Sequence, residues 1–127
     1  MSYFKQGAAV CAFATLAMIG LDAAAATIRV TCEVRSGRST VSVDGKDLAA
    51  GSYSTVAQSG GNLAHTAPEP AVGDEIETDY SSRPNDINAG AVAIVPTFIV
   101  GGKVTGKIIN ASGNTVISDT VSCRVRR

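Results

Sequence analysis

The chain is 127 residues long and balances eleven basic against eleven acidic residues, with 45% hydrophobic content. A neutral chain has no general attraction for nucleic acid or anionic lipid, so neither is expected as a partner. Its length suits one domain with one core.

Residues 1–26 read as a secretory signal peptide. Lys5 and the terminal amine form a short positive region, AAVCAFATLAMIGL (8–21) is the apolar run, and Ala24 and Ala26 fit a small-residue cleavage site, which places the cut after Ala26. The run is shorter than the roughly 20 apolar residues of a membrane span, so the mature chain, residues 27–127, carries no such span. Cys11 leaves with this segment, as do Lys5 and Asp22, and ten bases and ten acids remain. The expected destination is the periplasm or the exterior, where thiols oxidise. Cys32 and Cys123 are therefore expected to form a disulfide. Zinc needs four ligands, and His65 is the single nitrogen donor beside those two thiols.

From Thr27 onward the period is two. TIRVTCEVR (27–35) points Ile28, Val30, Cys32 and Val34 to one side and Arg29, Thr31, Glu33 and Arg35 to the other. STVSV (39–43) repeats the alternation and ends at Asp44-Gly45, a turn signal. SYSTVAQ (52–58) is a third strand, followed by a loop over 59–72. EIETDY (75–80) sets Ile76, Thr78 and Tyr80 inward and Glu75, Glu77 and Asp79 outward. Asp86 to Gly90 suits a single helical turn capped by Asp86. AVAIVPTFIV (91–100) is nearly all apolar, and its Pro96 implies a bulge or an edge. KVTGKIIN (103–110) and TVISDTVSCRVR (115–126) close a hairpin; Asn110-Ala-Ser matches a glycosylation triplet, but hairpin-turn chemistry accounts for it equally.

Seven alternating strands predict an all-β, antiparallel Greek-key sandwich of the immunoglobulin or fibronectin-III kind, with a small β-barrel as the alternative. DLAAGSY (47–53) resembles the leucine, glycine, tyrosine pattern that leads into a strand of many such sandwiches. That resemblance implies a tyrosine corner, with the Tyr53 hydroxyl bonded to the chain upstream.

No nucleotide-binding glycine motif and no serine-nucleophile motif is present, so the chain is read as non-enzymatic and without a cofactor. Tyr53, Tyr80 and Phe98 are the aromatic residues beyond the signal segment, too few to supply both a core and a sugar-stacking platform. The leading expectation is a binding or structural module of the cell envelope, its partner an envelope protein or another copy of itself. Val95 and Ile99 are the interface candidates, because alternation turns them away from a core filled by Val92, Ile94, Phe98 and Val100. An alternative is a calcium-dependent module using the acidic loop 74–86, with Asp74, Asn85 and Asp86 as ligands. A third is a small hydrolase centred on His65. The acidic stretch 73–90 is otherwise read as the wet side of a strand, lying beside a basic strand that neutralises it.

Overall fold

The computed structural model describes residues 26–127. The signal-peptide reading falls on residues that, apart from Ala26, lie outside the described part.

Two sheets face each other across one core. The first runs β10-β1-β2-β6-β7 and the second β4-β3-β8-β9, with the two-residue β5 also paired to β3. In chain order the strands are β1 (Thr27–Arg35), β2 (Arg38–Lys46), β3 (Ser52–Ser59), β4 (Asn62–His65), β5 (Glu69–Pro70), β6 (Ile76–Ser81), β7 (Val92–Ala93), β8 (Lys103–Asn110), β9 (Thr115–Ser122) and β10 (Arg124–Arg126), with helix α1 (Pro84–Asn88) after β6. The chain passes back and forth between the sheets as the Greek-key sandwich requires. The sheets share no paired strands, so the barrel alternative does not hold. Most neighbours are antiparallel, but β10 joins β1 and β7 joins β6 in parallel.

Alternation places the core as the sequence implies. Val30 and Cys32 of β1, Val41 and Val43 of β2, Tyr53 and Ala57 of β3, Ile76 and Tyr80 of β6, and Val104 and Ile108 of β8 are all buried. Two strand glycines leave no room for a side chain between the sheets. A Cβ on Gly106 would lie 2.5 Å from Val30 Cγ2, and one on Gly45 would lie 3.1 Å from Ile108 Cδ1.

The tyrosine corner is present. The Tyr53 hydroxyl donates to the Ala49 carbonyl at 2.7 Å, and Gly51 supplies a φ of 152° that a side chain would disfavour.

A second phenol ties the sheets together: Tyr80 Oη and Thr55 Oγ1 share a buried hydrogen bond of 2.6 Å between β6 and β3. Removing either hydroxyl strands the other in the core, at a cost of about 1–3 kcal/mol. The Thr55→Val/Tyr80→Phe double variant removes both and should lose less than the sum of the single variants, which a double-mutant cycle of urea melts will show. Burial pushes the Tyr80 phenol above its ordinary value of 10.0, while the Thr55 bond pulls weakly the other way. Below pH 10 the phenol is neutral folded or unfolded. Above it the unfolded chain ionises first, so the stabilisation is lost as pH rises towards the raised folded value. Tyr80→Phe should lessen the decline of stability above pH 10.

Several elements depart from expectation. Part of the predicted loop is strand: β3 turns through Gly60-Gly61 directly into β4, whose four residues are too few for a clear alternation. The 91–100 segment holds only the two-residue β7 and then becomes a plug across one end of the sandwich. Its backbone is pinned by side chains from both sheets: Ser39 Oγ donates to the Pro96 carbonyl, Asn62 Nδ2 to the Phe98 carbonyl, and the Val100 amide to Ser59 Oγ, each at 2.7 Å. These bonds replace the ladder that Pro96 cannot extend. Ile94 and Phe98 are buried by it, while Val92 is half-buried and Val100 exposed.

The helical turn starts earlier than expected, with Arg83 rather than Asp86 as its cap residue. Asp86 sits within the first turn and accepts the Ser81 hydroxyl at 2.8 Å. Asn110 Oδ1 accepts the Ser112 and Asn114 amides, in keeping with hairpin-turn chemistry.

The disulfide is formed. Cys32 lies on β1 and Cys123 between β9 and β10, where the chain leaves the second sheet for the first, with Cα atoms 4.7 Å apart. Because β10 runs parallel to β1, Glu33 pairs with Arg124, and Arg29 faces Asp44 of β2 rather than an arginine.

Candidate functional site: the outer face of the first sheet

The outward side of the same alternation builds a broad concavity. Across β1, β2 and β6 the register aligns Thr31 with Ser42 and Asp79, and Glu33 with Thr40 and Ser81. A hollow of about 1050 Å³ opens over these residues. Arg29 and Arg124 stand on its β1 and β10 side, Glu77 and Asp79 on its β6 side, and the segment after α1 forms a rim. Two strand spacings separate β1 from β6, about 10 Å. The site therefore offers a hydroxyl floor between guanidinium and carboxylate walls, which suits an extended polar ligand carrying both charges.

Ser81, the hydroxyl nearest a carboxylate, is only 2% exposed. It donates to Asp86 and accepts the Arg83 amide, so its polar capacity serves the start of α1. Arg83 also approaches Asp86 at 3.9 Å.

The acidic strand does not lie beside a basic one. Its partner is β2, which sets Asp44 directly opposite Glu77. Arg29 reaches the pair only from the far side of β2. Asp44 keeps one buried carboxylate oxygen without a hydrogen-bond partner.

Of the residues proposed from sequence, Asp74 lies in the turn before β6, whereas Asn85 and Asp86 lie in the helix after it. Six strand residues separate the two places, about 20 Å. Asp74 and Asp86 therefore do not converge, and no group of three or more His, Cys, Asp or Glu side chains among the described residues is arranged to hold a metal ion. Thermal melts in millimolar calcium and in EDTA should superimpose; an ion bound by the native state alone would raise the calcium melt. His65 ends β4 exposed to solvent, its Nδ1 3.3 Å from the Thr66 carbonyl oxygen. Among the described residues, no hydroxyl or carboxylate is bonded to that ring.

Val95 is exposed as expected. Ile99 is not: it is half-buried and packed against the core. The Pro96-Thr97 turn, closed by the Phe98 amide on the Val95 carbonyl at 3.0 Å, shifts the phase of the alternation. Val100 takes the exposed place instead.

Sequence reasoning did not single out Arg29, Thr31, Ser42, Asp79 and Arg124 as a site. Alternation did turn all but Arg124 outward; which strands lie side by side was the missing information. No family model and no curated protein sequence matches this chain.

Proposed function

We propose that this protein is a non-enzymatic binding or structural module of the cell envelope, exported to the periplasm or the exterior and stabilised by its disulfide. The observation that carries this reading is the groove between opposed charge walls, which has the layout of a recognition surface for a polar, extended partner. The Cys32–Cys123 bond is in keeping with an oxidising compartment. No helix among the described residues is long and apolar enough to cross a membrane.

The test is cross-linking within the native envelope, from a photoreactive residue placed at Thr31 on the groove floor. Reversing both wall arginines (Arg29→Glu/Arg124→Glu) removes two charge-assisted contacts and should reduce the specific adduct about tenfold or more. Both side chains are exposed, but the reversal sets one carboxylate opposite Asp44 and another opposite Glu33, so the melting temperature should fall modestly while the fold holds. Adducts of unchanged yield from the reversed groove would overturn the reading, as would recovery of the chain from the cytoplasm.

A further inference from the structure

The sheet register separates two ends of the molecule with opposite character. At one end Arg35 lies between Arg38 on β2 and Arg126 on β10, three arginines abreast on adjacent strands. Like charges in register destabilise a sheet, and within this row Glu33 pairs only with Arg126. Beside the row is a mainly apolar hollow of about 680 Å³, lined by Val34, Pro96, Ile99 and Val125 with Arg35 and Arg127 at its mouth. Val125 is 60% exposed there.

At the opposite end the turn Val72–Glu75 projects beside the start of β6. Val72 is 84% exposed, the most open of the large hydrophobic residues described. Asp74 and Glu75 flank it, and the Leu48 amide bonded to the Asp74 carbonyl brings exposed Asp47 alongside, with Lys46 as the nearby base. Ile76 pairs with Gly45, and Gly45 with Ile28, so this turn lies seven β1 residues from Arg35, about 23 Å along the strand. One end thus presents an apolar knob among carboxylates, and the other an apolar hollow among guanidinium groups.

We propose that copies of this chain associate head to tail, with Val72 of one seated in the hollow of the next and Asp74 and Glu75 against Arg35 and Arg38. Each contact leaves one knob and one hollow unused, so the association is open-ended rather than a closed dimer. Lateral pairing is disfavoured by the sheet edge itself: β9 alternates Ile117 and Val121 towards the core and places Asp119 between them, opposite Gly106, a charge that guards a free edge. The contact is separate from the groove, so either can fail without the other.

Sedimentation of the purified, oxidised protein tests this. Its average mass should rise with concentration in dilute buffer and return to that of the monomer in about 1 M salt, where the Debye length falls to about 3 Å. Asp74→Lys/Glu75→Lys blocks the acidic end and Arg35→Glu/Arg38→Glu blocks the basic end, and each variant alone should remain monomeric. Mixed in equal amounts, they join an intact knob to an intact hollow and a reversed knob to a reversed hollow, each of opposite charge, and should assemble again in strict alternation. A wild type that stays monomeric to high micromolar concentration in dilute buffer overturns the proposal, even if it binds vesicles rich in phosphatidylglycerol. So does either blocked variant that assembles like wild type, or a mixture that stays monomeric.

Discussion

Protein lacking the disulfide, as Cys32→Ser/Cys123→Ser, is expected to lose about 4.5 kcal/mol of stability and to melt roughly 20–35 °C lower than the oxidised wild type. The bond closes a loop with a sequence separation of 91. In the chain-entropy model such a loop removes that much conformational freedom from the unfolded state. Domains of this size are stable by about 5–15 kcal/mol, so the loss takes a large share of the whole. Serine nearly matches cysteine in size and β10 pairs through only three residues, so few native contacts are lost with the bond. Urea midpoints of the oxidised wild type and the double serine variant measure the difference. Equal midpoints would show that the β9 to β10 crossover holds without its covalent tie.

Gly106→Val is expected to be the most damaging single substitution in the second sheet, costing about 3 kcal/mol or more. Its first added carbon would meet Val30 Cγ2 at 2.5 Å and Val43 Cγ2 at 3.2 Å. Those atoms belong to the opposite sheet and are themselves packed, so the sheets must part or the valines leave their rotamers. Gly106→Ala should cost about 1–3 kcal/mol despite the entropy it saves in the unfolded chain. Val30→Ala removes the methyl groups in the way. The double variant Val30→Ala/Gly106→Ala should therefore lose clearly less than the sum of its two single changes, by the margin typical of contacting residues. Additive losses would place the damage in the strand backbone rather than in the space between the sheets.

Both predictions rest on features legible to different degrees in the sequence. Period-two alternation identified the core faces of β1, β2 and β6, because a half-buried strand writes its own inside and outside. DLAAGSY led to the Tyr53 corner, and the two cysteines of a chain read as exported led to their bond. Strand adjacency was not legible, since it is a relation between segments distant in sequence. Hence β6 was placed beside a basic strand, whereas Asp44 faces Glu77, and the groove across β1, β2 and β6 went unseen. The 91–100 segment misled for a different reason: its hydrophobicity suggested a strand, but Ser39, Ser59 and Asn62 take over its backbone bonds from afar. Reading through Pro96 in an unbroken phase then exchanged the places of Ile99 and Val100.

The position of the disulfide also decides how the molecule behaves under tension. β1 and β10 run side by side in the same direction. A pull between Thr27 and Arg126 therefore acts along the strands. Force entering at Thr27 reaches Cys32, crosses the sulfur bridge to Cys123 and exits through Arg126, so that residues 33–122 lie outside the path. Stretched in an atomic force microscope, oxidised protein should yield only the few residues on either side of the bridge. Reduced protein should release the length of the whole sandwich. While the bridge holds, the sandwich is thus bypassed by the load rather than unfolded by it.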